Sequence, residues 1–318
     1  MTRLADGRWP EAERLAEQLA LQGDGSVQLV LLYGSRLLKT APDQHSALDF
    51  VVIVDDYQAF YKGLANCRQL GRPVSLMHGL ARILAPNVIA YVEGDGSLAM
   101  AKCAVVSKKD FEQALGSSPK DHFLLGRMVQ RTEIVWSQSP LEDAWVRGVI
   151  GGAHRGVLEW MAPYLSGDFS PADVGRRLLE VCYQGEWRPE SEGRAGMVFD
   201  AQADHFAQVL DPVLRAGAVS GKVLGPNEGR YALAAPASAA DRRRWRRHFR
   251  RSKRRATMRW LKHMMTFAKW LPYVVRKAER HTGRSIKLTS FEKRMPLIFL
   301  WPRAIHFMLT KNNRGARP

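Results

Sequence analysis

The chain has 318 residues, 46% of them hydrophobic and 9% aromatic, which is enough to bury a core and excludes a disordered protein. Its formal charge of +17 is uneven, because 24 of the 48 Lys and Arg but only 3 of the 31 Asp and Glu lie from residue 241 onward. That segment therefore carries +21 and the first 240 residues carry −4, which points to a polyanionic partner, either nucleic acid or an anionic membrane. Three cysteines without paired spacing argue against a disulfide framework or a zinc knuckle.

The first 119 residues alternate helices with strands. In chain order, the apolar pattern predicts a helix over residues 11–21, buried strands at Val27–Tyr33 and Leu48–Val54, a helix over 59–64, β-rich stretches within 81–92 and 98–106, and a helix over 107–115 capped by Ser107. This order predicts an α+β fold with a mixed sheet.

From residue 120 onward the pattern becomes helical, with a period of 3.6 residues over 122–130, 141–164 and 171–183. A segment rich in Ala, Pro and Ser at 232–240 resembles a linker, and the basic segment follows it. We therefore predict three parts: a mixed-sheet domain at 1–119, a helical domain at 120–235 and a basic amphipathic tail at 236–318.

One strand–turn–strand unit combines residue types that suit phosphate chemistry. Gly34 and Ser35 directly follow the first strand, and Asp49 stands among apolar residues of the second. Gly34 would let the backbone approach phosphates, and Ser35 with neighbouring N–H groups could hydrogen-bond their oxygens. Asp49 could hold Mg²⁺, which neutralises charge during transfer from a nucleoside triphosphate. The alternative is an ordinary turn, with Asp49 paired to a buried arginine.

Nucleotidyltransferases usually bind metal through Asp-X-Asp, whereas Ala47 and Val51 occupy the positions two before and two after Asp49. Asp49 shares a strand face with Asp55. We therefore expect Asp55 or Asp56 to supply the second metal ligand.

Three cations are candidates for binding phosphates. Lys102 lies inside an apolar strand, where an unpaired lysine is costly, so we expect it to bind a triphosphate; the alternative is an edge-strand lysine that reaches solvent. Arg127 and Arg188 could each clamp a phosphate with two hydrogen bonds, or could form ordinary surface salt bridges.

The stretch at 46–56, Ser-Ala-Leu-Asp-Phe-Val-Val-Ile-Val-Asp-Asp, with Phe60 and Tyr61 after it, resembles the Leu-Asp-Phe…Val-Asp-Asp-Pro…Trp-His stretch of the mitochondrial translocator assembly and maintenance proteins. Further matches follow in order: Lys-Cys-Ala-Val-Val-Ser at 102–107, Leu-Gly-Arg-Met at 125–128, Tyr-Gln-Gly-Glu-Trp-Arg at 183–188 and His-Phe at 205–206. The resemblance covers roughly residues 27–215. It departs at Arg36, where the family has a glycine, and at Tyr57, where it has a proline.

Those proteins are phosphatidate cytidylyltransferases of phospholipid and cardiolipin synthesis, with a polymerase-β-type nucleotidyltransferase domain, a winged-helix-like second domain and a C-terminal membrane-binding segment. The resemblance implies that CTP and phosphatidate give CDP-diacylglycerol and pyrophosphate with Mg²⁺. It implies catalytic roles for Asp49, Ser35 and Lys102, CTP contacts from Gly34, Ser35, Lys102, Arg127 and Arg188, and metal ligation by Asp49 with Asp55 or Asp56.

The basic segment is the second strong signal. Residues 242–255 contain ten Lys or Arg in fourteen positions, and apolar residues spaced three and four apart follow them: Trp260, Leu261, Met264, Met265, Ala268 and Leu271. This pattern is typical of an interfacial helix on anionic lipid, and we expect no nucleic-acid partner. We therefore expect a cytoplasmic enzyme, peripheral on the inner membrane surface, or on its matrix side in a eukaryote.

Two other functions stay open. A nucleotidyltransferase could act on RNA or a small molecule with the basic tail holding nucleic acid. A catalytically inactive nucleotidyltransferase fold could serve as a membrane scaffold, and Ala47 keeps that alternative open.

Overall fold

The computed structural model describes residues 8–38, 47–92, 100–185, 193–266 and 289. The helices are α1 (Pro10–Gln22), α2 (Ser35–Leu38), α3 (Tyr57–Asn66), α4 (Val74–Ile83), α5 (Lys108–Leu115), α6 (Leu125–Met128), α7 (Pro140–Arg155), α8 (Val157–Met161), α9 (Pro171–Gln184), α10 (Arg194–Asp200), α11 (Ala203–Val219) and α12 (Ala239–Thr266). The strands are β1 (Val27–Tyr33), β2 (Leu48–Val54), β3 (Asn87–Val92), β4 (Met100–Ser107), β5 (Glu133–Ser137), β6 (Val223–Asn227) and β7 (Arg230–Leu233). All of these elements belong to one compact unit, Met1–Thr266.

Five strands form a mixed sheet in the order β3-β4-β2-β1-β5. Only the β2–β4 pair is parallel in this sheet, and the other neighbours are antiparallel. The prediction of an α+β fold with a mixed sheet is confirmed, as are the two strands predicted at Val27–Tyr33 and Leu48–Val54.

Both faces of the sheet are covered. Phe50 and Val52 of β2 belong to a core formed with α1 and α3, which includes Leu15 and Phe60. On the other face, α5 packs on β2 and β4. Side chains alternate between faces along a strand, so Asp49 points away from the α1–α3 core. It is the second residue of β2 and is half-buried, whereas the other residues of the strand are buried.

The segment after residue 120 is less helical than its periodicity predicts. The helix predicted over 122–130 is only the short α6, and the one predicted over 141–164 is divided at Gly156 into α7, α8 and a 3-10 turn at Ala162–Tyr164. The strand β5 also lies in this segment and pairs with β1, so the sheet extends beyond the predicted boundary at residue 119. Only five residues form β5, too few for an alternating pattern to be distinguished from a helical one.

The basic segment forms the long helix α12, which packs on β3 and on the 3-10 turn. Buried residues repeat every seven positions along its inner face, namely Trp245, Ser252, Arg259 and Thr266, and Lys262 is buried beside them. Seven residues are nearly two turns, so these side chains lie in one stripe. The rest of the predicted tail, from residue 267 on, lies outside the described residues except Thr289, and so do Ala268 and Leu271.

Candidate functional site

Gly34 and Asp49 are in close contact at one end of the sheet. Gly34 follows β1 with φ +84°, and an added Cβ would stand 2.7 Å from the Asp49 carboxylate oxygen Oδ2. Position 34 therefore requires glycine for two reasons: its backbone is left-handed, and Asp49 fills the space that a side chain would need. Ser35 begins α2 directly after this glycine and is partly buried.

Lys102 lies next to Asp49 on the same face of the sheet. β2 and β4 are parallel neighbours, and Asp49 is in register with Lys102. Adjacent strands are about 4.8 Å apart, so the two side chains leave the sheet side by side. Because β3 flanks β4 on its other side, Lys102 is not on an edge strand, and the alternative of an edge-strand lysine is wrong.

Asp55 and Asp56 are not brought to Asp49. They follow the far end of β2, six and seven residues beyond Asp49. At about 3.3 Å per residue, roughly 20 Å separates Asp55 from Asp49, so one ion cannot be bound by both. Both distal carboxylates are exposed and have local partners: Asp56 accepts a hydrogen bond from Ala59 N at 2.8 Å as the cap of α3, and Asp55 accepts one from Asp56 N at 2.6 Å.

Asp49 could bind magnesium only as a single carboxylate ligand, with substrate phosphates and water completing the coordination. Within the described ranges, no three His, Cys, Asp or Glu residues lie close enough to hold a metal ion. Mg²⁺ is often bound by one or two carboxylates and completed by substrate phosphates and water. Asp49 fits the role of a single carboxylate that shares an ion with a triphosphate, and Asp55 and Asp56 do not fit the role of its partners.

The two departures from the family pattern have partners within the fold. Arg36 forms an ion pair with Glu11 of α1. The Tyr57 hydroxyl donates to Asp110 Oδ2 at 2.8 Å and accepts from Ser107 N at 2.8 Å, which ties the beginning of α3 to that of α5. Burial, followed by the charge of Asp110, raises the pKa of Tyr57.

Arg127 belongs to a cluster around the Phe123 ring. Its guanidinium lies 3.7 Å from the ring centroid, and it donates to the Phe123 carbonyl oxygen. The guanidinium of Arg259, from α12, lies 4.4 Å from the same centroid. The His263 ring meets Phe123 edge to face, with centroids 6.1 Å apart. Arg188 lies outside the described residues.

Asp121 anchors α12 to this cluster. Its Oδ2 accepts from Arg255 Nε at 2.7 Å and from Arg259 Nη2 at 2.9 Å. Burial alone would raise the pKa of Asp121, but the charge of Arg259 and hydrogen bonds from Arg259, Arg255 and the Phe123 N–H lower it to about 2. Asp121 is therefore ionised at all ordinary pH values.

The carbonyl oxygens around residues 84–88 hold the C-terminal half of α12. Lys262 Nζ donates to Leu84 O and, at 2.7 Å, to Pro86 O. Thr266 donates to Val88 O at 2.8 Å. Burial, followed by the charge of Arg259, lowers the pKa of Lys262 to about 6.

His263 joins the sheet residues to α12. Burial lowers its pKa far below the ordinary value, and four neighbouring cations lower it further: Lys102, Lys262, Arg259 and Arg127. Lys102 has the largest effect of the four, and its neighbour in register on β3, the strand against which α12 packs, is Ala90. The structure therefore brings Gly34, Asp49, Lys102 and Arg127 into one region together with α12.

Arg259, His263 and Asp121 were not found from the sequence. Arg259 is one of many cations in a basic segment, and nothing local distinguishes it from exposed neighbours such as Arg254. The spacing could have identified Arg259 as an inward-facing residue, because Arg259 follows Trp245 and Ser252 at intervals of seven residues.

In the part of the chain that the structure describes, no helix has both the length and the apolar character needed to cross a membrane. A comparison with protein-family models and with curated proteins finds no match for this chain. The family resemblance therefore stays a prediction, and the geometry around Asp49 is the basis for a function.

Proposed function

We propose that this protein is a magnesium-dependent nucleotidyltransferase that joins CTP to phosphatidate at a membrane surface. The observation that carries the proposal is the contact of Gly34 with Asp49, with Lys102 in register beside them. A glycine turn after one strand and a carboxylate on the next are the arrangement that polymerase-β-type nucleotidyltransferases use for a triphosphate. The mixed sheet is compatible with that fold, and a winged-helix-like second domain is part of the proposal.

Asp49 would hold the magnesium ion together with the phosphate oxygens of CTP. When bound, the ion would supply neutralisation of charge on the transferring and leaving oxygens. Gly34 has no side chain, so the backbone before Ser35 can lie close to the phosphates. Lys102 would offset negative charge on the triphosphate, which carries about four charges at neutral pH and repels an anionic nucleophile.

The acceptor needs little help from a protein base. A phosphomonoester is ionised at neutral pH, so its oxygen can attack the α-phosphorus of CTP directly. A new phosphorus–oxygen bond forms, the bond from the α-phosphorus to the bridging oxygen breaks, and pyrophosphate leaves. The task of the chain is then to position the two anions and to balance their charge.

The exposed side of α12 supports a lipid as the acceptor. Met258, Leu261 and Met265 are 59%, 45% and 41% exposed, and their spacing puts them on one side of the helix. About one to four turns before Met258, the same side carries exposed arginines: Arg243, Arg247, Arg250, Arg251 and Arg254. Basic and apolar residues exposed together suit the surface of an anionic membrane. The proposed location is accordingly peripheral, on the cytoplasmic or matrix surface of an inner membrane.

The test uses the purified full-length chain, CTP labelled in its α-phosphate, Mg²⁺ and vesicles that contain phosphatidate. We expect labelled CDP-diacylglycerol, no product with diacylglycerol vesicles that lack the phosphate, and no product after EDTA. ATP, GTP and UTP serve as competing donors, and an RNA oligonucleotide serves as a competing acceptor. Turnover of the RNA without turnover of phosphatidate would replace the lipid acceptor with nucleic acid, and absence of all turnover would favour the inactive scaffold.

A further inference from the structure

The inner face of α12 carries basic side chains where a docked helix ordinarily carries apolar side chains. Arg259 is 2% exposed, and Lys262 is 5% exposed. A buried charge without compensation is costly, so each such group needs a partner. The partner of Lys262 is a pair of carbonyl oxygens. Arg259 is satisfied only in part.

Arg259 uses one of its three nitrogens. Its Nη2 donates to Ala85 O at 2.8 Å and to Asp121 Oδ2 at 2.9 Å. Its Nε and Nη1 atoms are buried and have no hydrogen-bond partner among the described residues. One turn further along the helix, the buried Nε2 atom of His263 also has none among those residues. Unsatisfied buried donors are rare in native structures and call for an explanation.

These atoms converge on the Phe123 ring. Arg127 and Arg259 lie within 3.7 and 4.4 Å of its centroid, and the His263 ring touches it edge to face. Two guanidinium groups held against one ring repel each other, and an anion beside them reduces that repulsion. Phe123 therefore acts as a rigid support that holds three nitrogen-rich groups together.

The charges around Arg259, Lys262 and His263 also favour an anion. Asp121 offsets positive charge beside Arg259 and Lys262, whereas Lys102, Arg127 and Arg255 each add positive charge beside at least one of Arg259, Lys262 and His263. Asp121 is already shared by two arginines. An additional anion would offset the remaining positive charge.

We propose that Arg259 and His263, with Arg127 beside them, bind a phosphate group, and that this group is the phosphomonoester of the acceptor. Arginine and histidine donors around a dianion give charge-assisted hydrogen bonds, which a carboxylate or a neutral ligand would satisfy less well. The acceptor is favoured over the nucleotide because the same helix exposes Met258, Leu261 and Met265 on another side. The phosphate site itself stands on the α12 geometry, whereas its assignment to the acceptor rests on the proposed function.

Two substitutions remove the donors while keeping the packing. Arg259→Lys keeps a positive charge that can reach Asp121 but removes the unsatisfied Nε and Nη1. His263→Phe keeps a ring against Phe123 but removes Nε2. Arg255→Lys is the matched control, because it is the same change on the same helix, in a residue bound to the same carboxylate oxygen. Thermal unfolding of each full-length variant confirms that it folds.

Titration calorimetry with inorganic phosphate is the readout that does not depend on activity. We expect phosphate to bind the unaltered chain, and its Kd to rise about tenfold or more in Arg259→Lys and in His263→Phe, because each loses charge-assisted bonds. The Kd in Arg255→Lys should change less than about twofold. Phosphate that fails to bind the unaltered chain, or that binds all three variants equally, would overturn the site.

Steady-state kinetics then separates the acceptor from the nucleotide. For the two donor variants, we expect the KM for phosphatidate vesicles to rise about tenfold and the KM for CTP to stay within about twofold. A rise in the KM for CTP alone would overturn the assignment to the acceptor. If the unaltered chain shows no transfer but the two variants still lose phosphate binding, the proposed function fails and the phosphate site stands.

Discussion

Asp49 is the residue on which the proposed chemistry depends, and its nearest structural constraint is a glycine. The carboxylate occupies the space that a side chain at position 34 would need. The distal Asp55 and Asp56 are instead occupied in the turn that begins α3. The two ends of β2 therefore have different tasks, one at the candidate site and one in local structure.

This difference gives a matched pair of variants. Asp49→Asn keeps the shape of the side chain but removes its charge, and we expect the transfer rate to fall about 100-fold or more, as is typical when a charge-stabilising group is lost. Asp55→Asn makes the same change at the other end of β2 and should keep at least half of the activity, because the amide oxygen can still accept from Asp56 N. The measurement is kcat with CTP and phosphatidate. Loss of activity in both variants would contradict the single-carboxylate site.

Lys262 gives a second prediction at the scale of one residue. Its pKa is about 6 in the folded chain, against an ordinary value of 10.5. Between these values the unfolded chain binds more protons, so the lysine makes the free energy of unfolding rise with pH, by at most about 1.4 kcal/mol per pH unit. Below pH 6 both states bind the proton, and this contribution to the slope disappears.

Lys262→Met should flatten this slope relative to the unaltered chain. Urea unfolding at pH 6, 7, 8 and 9 measures it for both proteins, and the difference between them isolates Lys262 from other titrating groups. Parallel pH dependence in the two proteins would mean that Lys262 stays charged when folded.

At the scale of elements, the sequence predicts best where the pattern is long and uniform. Val27–Tyr33 and Leu48–Val54 are continuous apolar runs, and both are strands with these limits. The Ser107 cap of α5 is also confirmed, because its side chain accepts from Asp110 N. Strands and helix caps depend on residues that are close in the sequence, so the local sequence is enough to predict them.

The pairing of Asp49 with Asp55 could have been excluded from the sequence, because six residues of a strand span roughly 20 Å, and sharing a strand face does not shorten that distance. The role of Arg259, in contrast, was hidden. Its partners lie at Ala85 and Asp121, 174 and 138 residues earlier, and no local pattern identifies contacts at such separations. The Gly34–Asp49 unit was predictable because both halves are motif residues close in sequence.

The helix α12 gives a prediction at the same scale. Changing Met258, Leu261 and Met265 to Gln removes the exposed apolar group, and we expect vesicle binding to fall about tenfold or more at low salt. The remaining attraction would be electrostatic, so it should disappear at high salt, because charges are screened within about 8 Å at physiological ionic strength and over shorter distances above it. The unaltered chain should retain part of its binding there.

The control replaces three apolar residues elsewhere that are at least as exposed, namely Leu141, Val219 and Leu224, which are 79%, 92% and 59% exposed. Co-sedimentation with anionic vesicles compares the two triple variants. Equal loss in both would show that exposed apolar area in general, rather than the α12 surface, drives binding.

At the scale of the whole molecule, α12 is far in sequence from the sheet residues of the candidate site, and it packs on the same sheet. Its polar bonds join Ser252, Arg259 and Lys262 to partners 130–178 residues earlier. The connection that precedes α12, residues 234–238, has no regular secondary structure, and most of it is exposed. The helix is therefore attached by its own side chains, through these polar bonds together with aromatic contacts such as that of Phe249 with Trp160.

Because side-chain contacts hold α12 in place, we predict that the chain can be cut at the connection before this helix and still associate. Fragments 1–235 and 236–318, expressed together with a tag on the first, should purify as a complex, and about 1 M salt should weaken the complex because ion pairs such as Arg255–Asp121 are screened. Arg259→Met in the second fragment should weaken it further, since Asp121 then loses a buried partner. Failure of the fragments to purify together would show that the connection itself is needed for docking.

The position of α12 in the sequence also has a consequence for the order of synthesis. A chain still on the ribosome carries the strands with Asp49 and Lys102 long before residue 259 is made. Until the helix leaves the ribosome, Asp121 and the carbonyl oxygens of residues 84–88 have none of their α12 partners. The two parts of the proposed site are therefore synthesised at different times, and an unfinished chain has Asp49 and Lys102 without Arg259 and His263.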